Sequence, residues 1–266
     1  MRYLTFLLVV LLSGPGLAQG VGVTGFAGAD VIILGEVHDN PRHHTAQAEA
    51  VAAVQPAALV FEMLTPAQAG LITGDNRLDE AGLRQVLGWD ETGWPDFSFY
   101  YPIFVAGGVA RVFGAGVTRP AARKAFRTGI LADFGAEAGL YGLDRRLEAA
   151  EQAERLAFQR AAHCNALPEN LLAGMIDLQR LRDAYLARTA VEALEAVGGP
   201  VVVITGNGHA RKDWGMAVYL QAARPDLVVY SVGMAEDGRI DGVFDRVTSF
   251  AAQERPDPCL AFQQGN

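Results

Sequence analysis

Two short stretches of this sequence share one form: an apolar run, then a glycine, two further residues and a histidine. The first is VIIL followed by Gly35-Glu36-Val37-His38, and the second is VVVIT followed by Gly206-Asn207-Gly208-His209. The chain has five histidines, and three of them, His38, His43 and His44, fall at the end of this first stretch or in the six residues after it. A further apolar run, ALVF, ends at Glu62. Imidazole and carboxylate groups held together can take and return a proton near neutral pH. The same groups are nitrogen and oxygen donors for a divalent metal ion. Glu36, His38, Glu62 and His209 are therefore candidates both for acid–base catalysis and for metal ligation. A single Gly-x-x-His is well explained as a turn with a hydrogen-bonded histidine, but its recurrence directly after a second apolar run argues for a shared site.

The elements that must position these residues follow from the apolar rhythm. DVIILGE, PAALVFEML, VARVFGAGV, PVVVITGNG and DLVVYSVG read as five short buried strands separated by helical segments. NPRHHTAQAEAVAAV reads as the helix after the first, with Asn40 as its cap and Pro41 at its first position, where a missing N–H costs nothing. Continuous Val/Ile runs alternating with helices predict an α/β fold with a mostly parallel sheet and helices on both faces. Ligands in such folds bind outside the carboxyl ends of the strands. Three strand ends on one edge would bring Glu36, His38, Glu62 and His209 together. The helix starting at Pro41 would then offer its partial positive charge to an anionic group nearby.

Between the third and fourth strands, about residues 120–196, the 3.6-residue rhythm predicts a helical insertion able to wall a cleft. LGWDETGWPDFSFYYPIF is aromatic-rich, and its Tyr100 and Tyr101 can ligate iron, stack on a flat ligand or simply pack in the core. His44 and Gln47 share a helix face and can flank a pocket or face solvent. His163, beside Cys164, reads as a cap or packing residue, and Arg182–Asp183 as an ion pair within the helical section. There is no Gly-x-Ser-x-Gly nucleophile elbow and no glycine-rich dinucleotide loop.

The 266 residues carry a net charge of −8 with half of them hydrophobic, which allows a sizeable core and excludes a nucleic-acid partner. Arg2, the run YLTFLLVVLL and the break SGPGLA read as a signal peptide over residues 1–18. The run is too short to span a bilayer, so no retained transmembrane anchor is expected. The expected location is periplasmic or secreted, with residues 19–266 forming a single domain. In such a compartment Cys164 and Cys259 are expected to form a disulfide.

LGEVHDNPRHHTAQ, FEML, WPDFSFYYPIF, MIDLQRLRDAYLA and ITGNGHARKDWGMAVYL together resemble the ChaN-like haem-binding uptake proteins of the wider Tiki/erythromycin-esterase-like superfamily. The resemblance runs over about residues 24–235. It implies an exported haem binder serving iron uptake, with tyrosine ligation of haem iron, for which Tyr100 and Tyr101 are the candidates, and a possible homodimer. The wider superfamily implies a different activity: a hydrolase, metal-dependent or based on histidine and glutamate, using the paired Gly-x-x-His motifs. This chain departs from the usual lipoprotein pattern, since no cysteine follows its apolar N-terminal run.

Overall fold

The computed structural model describes residues 25–257, 259 and 260; the expected signal peptide lies outside the described residues. The chain runs through β1 (Val31–Leu34), α1 (Pro41–Val54), β2 (Ala58–Phe61), α2 (Pro66–Ala69), α3 (Glu80–Val86), α4 (Phe97–Ala106) and β3 (Arg111–Gly114). Four helices follow: α5 (Arg119–Thr128), α6 (Ile130–Phe134), α7 (Ala149–Ala162) and α8 (Glu169–Val197). The remaining elements are β4 (Val201–Ile204), α9 (Asn207–Ala210), α10 (Met216–Ala223), β5 (Val229–Glu236) and β6 (Arg246–Phe250).

All six strands are parallel, in the order β3-β2-β4-β1-β5-β6. The four residues of each of β1, β2 and β4 are buried without alternation, as expected for a sheet covered on both faces. Val31, Ile33, Val60, Val201 and Val203 face the helical section and α10, where Leu181, Ala184 and Leu220 meet them. Ile32, Leu34, Phe61, Val202 and Ile204 face the other way, toward α1 and α4, against Ala50, Tyr100 and Phe104. Each side of the sheet thus has its own core.

Asn40 caps α1, its side chain accepting from the Arg42 N–H, and Pro41 takes the first helical position. The helical section between β3 and β4 is integral to the fold, because α8 lies along β2, β3 and β4 and supplies much of one core. β6 was not foreseen from the sequence. It is an edge strand with one buried residue in five, and residues 237–245 join it to its parallel neighbour. That link is shorter than the dozen or so residues a crossover usually needs. Cys164 and Cys259 are bonded, with Cα atoms 5.5 Å apart. Among the described residues no helix is long and apolar enough to cross a membrane.

Candidate functional site

Strands β2, β4 and β1 are adjacent, so their carboxyl ends present Glu62, the turn after Ile204, and Glu36 with His38 side by side. Thr205 and Gly206 tie the middle of this row to one side. Glu62 Oε2 accepts from the Thr205 hydroxyl at 2.6 Å and the Gly206 N–H at 2.8 Å. Gly206 also gives His38 its place: a Cβ there would lie 2.9 Å from His38 Nε2, so any side chain would push the ring aside. Gly35 is needed for the same reason, because a Cβ would collide with the Asn207 side chain, which is bonded to both N and O of Met234.

The first histidine is held by a carboxylate from below. Glu36 is buried, and its Oε1 lies 2.7 Å from His38 Nδ1 and accepts from the Tyr100 hydroxyl at 2.7 Å. Its Oε2 accepts from Gln47 Nε2 at 2.8 Å and faces His44 Nδ1 at 3.5 Å. His44 Nε2 in turn bonds the His38 carbonyl at 2.8 Å. Burial alone would push the Glu36 carboxyl up, but His44, His38 and Tyr100 outweigh it and hold it below the usual range. His38 is opposed by burial and by His209, yet Glu36 and Glu62 raise it above the ordinary imidazole value.

The second histidine repeats the arrangement. His209 Nδ1 lies 2.7 Å from Asp183 Oδ1, and its Nε2 lies 3.5 Å from Glu62 Oε1. Against the downward push of burial, Glu62 and Asp183 hold His209 at about 9. Glu62, which burial would raise, is instead held at about 2 by His209, His38, Thr205 and the Gly206 N–H. Two carboxylate–imidazole pairs therefore flank one central carboxylate, each with its Nδ1 occupied. A cleft of about 970 Å³ opens above them, lined by His38, Glu62, His209, Trp94, Arg119 and Arg182 among others. The Trp94 ring lies over His38 with centroids 4.8 Å apart.

Glu36, His38, Glu62 and His209 are thus gathered at one sheet edge, and His44 and Gln47 stand behind Glu36 rather than at the pocket wall. Other expectations need correction. Tyr100 is fully buried beneath Glu36, to which its hydroxyl donates, burial together with Glu36 pushes its pKa far up, and it does not line the cleft. Tyr101 is half-buried against Phe97 and does not line the cleft. Asp183 does not pair with Arg182, because it turns to His209. Among the described residues no group of three or more His, Cys, Asp or Glu is arranged to hold a metal ion. His163 caps the end of α7, its Nδ1 on the Gln159 carbonyl.

Asp183, Thr205 and Trp94 escaped sequence reasoning. A signal for Asp183 existed: it falls on the same face of α8 as the buried Ile176, Arg180 and Ala187, where a surface charge has no place.

Residues 23–220 match a family model described as haem-binding uptake, Tiki superfamily, ChaN. The chain belongs to this family. A solved structure described as "Cofacial heme binding to ChaN of Campylobacter jejuni" has a TM-score of 0.65 at 20% identity, covering 82% of this chain and 86% of that one. At that identity the likeness to the Campylobacter ChaN shows the fold. The type III effector HopBA1 is more distant, with a TM-score of 0.46 at 12% identity over 84% of this chain and 88% of its own. No curated protein matches the sequence.

Proposed function

We propose that this member of the ChaN family is an exported haem-binding protein serving haem and iron uptake, and that the cleft above the paired histidines receives the haem. The observation that carries this reading is the cleft itself, about 970 Å³ at the carboxyl edge of the sheet. Ligand clefts of such size are usual for molecules of this class. Its wall combines an indole, Trp94, and aliphatic surface from Met63, Val117 and Leu186 with two guanidinium groups. A flat apolar ligand bearing acidic groups needs that combination. The donor set also fits iron, though through a different residue from the tyrosine the resemblance implied. No tyrosine lines the cleft, whereas the His38 side chain is one-third (33%) exposed and its Nδ1 is already committed to Glu36, leaving Nε2 as its ligating atom. A carboxylate on the far nitrogen fixes the ring orientation and raises its basicity as a ligand.

Haemin titration of the purified protein tests the reading. Saturable binding at about micromolar affinity, near −8 kcal/mol, is expected, with a Soret band of histidine ligation that His38→Ala removes. Binding no tighter than to an unrelated apolar protein would end the haem reading.

A second reading is favoured by one specific observation, the duplicated carboxylate–imidazole pair around Glu62. In a hydrolase of histidine and glutamate, His209 would stay protonated between Asp183 and Glu62 and donate to a substrate oxygen, while His38 would take the proton from water. Hydrolysis of a chromogenic ester that falls 10²–10⁴-fold in both His38→Ala and His209→Ala would support it. Equal rates in the wild type and both variants would dismiss it.

A further inference from the structure

The ion pair that Arg182 was expected to make is absent, because Asp183 is taken by His209. Arg182 therefore points its charge elsewhere. It is half-buried, it lines the cleft, and its positive charge is felt at His209. The hydrogen bond it makes is to Gln179 Oε1, at 3.1 Å, on its own helix. Arg119, the first residue of α5, lines the same cleft from the end of the segment after β3. Among the described residues neither guanidinium is in an ion pair.

These two are the lysine-or-arginine cations of the cleft wall, and the acids that share the wall do not neutralise them. Glu62 is satisfied by Thr205, Gly206 and His209, and Asp90 pairs with Arg84. Glu91, the third, is exposed, as Arg119 is, and is in no ion pair with either arginine. A chain with a net charge of −8 thus keeps two guanidinium groups without an ion pair in the cleft above the paired histidines. Guanidinium is the side chain suited to a carboxylate, which it grips with two parallel N–H donors.

We propose that Arg119 and Arg182 form a carboxylate-recognition subsite that receives the propionate groups of the bound haem. The inference rests on the haem reading of this cleft and adds which end of the ligand the protein grips. It assigns selectivity to residues outside the histidine–carboxylate cluster: the apolar wall accepts a flat ring, and the two cations demand that the ring carry acids.

The test uses haemin and its dimethyl ester, which keeps ring and iron but lacks both carboxylates. Each is titrated into the wild-type protein and into Arg119→Gln/Arg182→Gln, with thermal melting as the check that the double variant is folded. Wild type is expected to prefer haemin over the ester by roughly tenfold or more, about 1.4 kcal/mol. The double variant should bind both ligands alike, at the level wild type shows for the ester. Equal binding of haemin and ester by wild type, or an undiminished preference in the double variant, overturns the subsite and leaves haem binding intact. If wild type binds neither ligand, the haem reading falls and the subsite falls with it.

Discussion

Replacing Asp183 by Asn removes one negative charge from the His209 ring while Oδ1 can still accept from Nδ1–H. In the native protein His209 is held at about 9 against an ordinary value of 6.5. Each unit of pKa corresponds to 1.36 kcal/mol, so the protonated ring contributes on the order of 3 kcal/mol to folding. Glu62 shares in that figure, and the Asn variant should lose on the order of 1–2 kcal/mol of it. Because the folded pKa lies above the unfolded one, this stability is fully present below about pH 6.5 and disappears as pH rises through about 9. Asp183 itself is raised by burial, and its own cost is constant across that window. The gap between wild type and variant should therefore be widest near pH 6 and narrow toward pH 9. Urea unfolding at several pH values measures the gap, and imidazole ¹⁵N shifts report the titration directly. A wild-type His209 that titrates near 6.5, or a stability gap that does not change with pH, would refute the electrostatic account of this histidine.

Three other outcomes are expected. Gly206→Ala places a methyl group 2.9 Å from His38 Nε2, so haemin affinity should fall roughly tenfold with little change in melting temperature; unchanged binding would show that His38 is not held against this turn. Tyr100→Phe removes a hydroxyl from a buried carboxylate, costing about 1.5–3 kcal/mol of stability while leaving the ligand signature of the Soret band in place. Loss of a tyrosinate band in that variant would restore Tyr100 as the iron ligand. Cys164→Ser with Cys259→Ser frees a long loop, and urea unfolding should show a loss of up to about 4–5 kcal/mol; equal stability would deny the bond a role.

The sheet was legible because each of β1, β2 and β4 is a short apolar run that meets a glycine or a charged residue within two positions of its end, which is how a strand buried on both faces reads. The site was legible in outline for the same reason, since strand ends on one edge converge whatever their separation in sequence. What escaped was governed by tertiary partners. Asp183 and Arg182 are neighbours in the chain, and local reasoning pairs them, but on a helix successive side chains diverge and each found its partner elsewhere. Tyr100 and Tyr101 diverge likewise, one into the core under Glu36 and one to its margin. β6 escaped because an edge strand needs only one buried side chain, too little for a hydrophobic signal.

The bond between Cys164 and Cys259 divides the two histidine–carboxylate pairs by their connectivity. Asp183 and His209 both lie inside the covalent ring it closes, whereas Glu36, His38 and Glu62 lie outside it. The outer pair is fastened to the ring by Arg255, which sits on the ring's last stretch and grips Asp39, the neighbour of His38, together with Glu236. A protease that cuts one exposed turn between the cysteines would leave two pieces that still migrate together until a reductant is added. The same cut made before Cys164 would release the segment bearing Glu36 and His38 once the fold is lost. The half-site on β4 and α8 is thus leashed by covalent chemistry, and the half-site on β1 by non-covalent contacts, the strand ladders to β4 and β5 and the grip of Arg255.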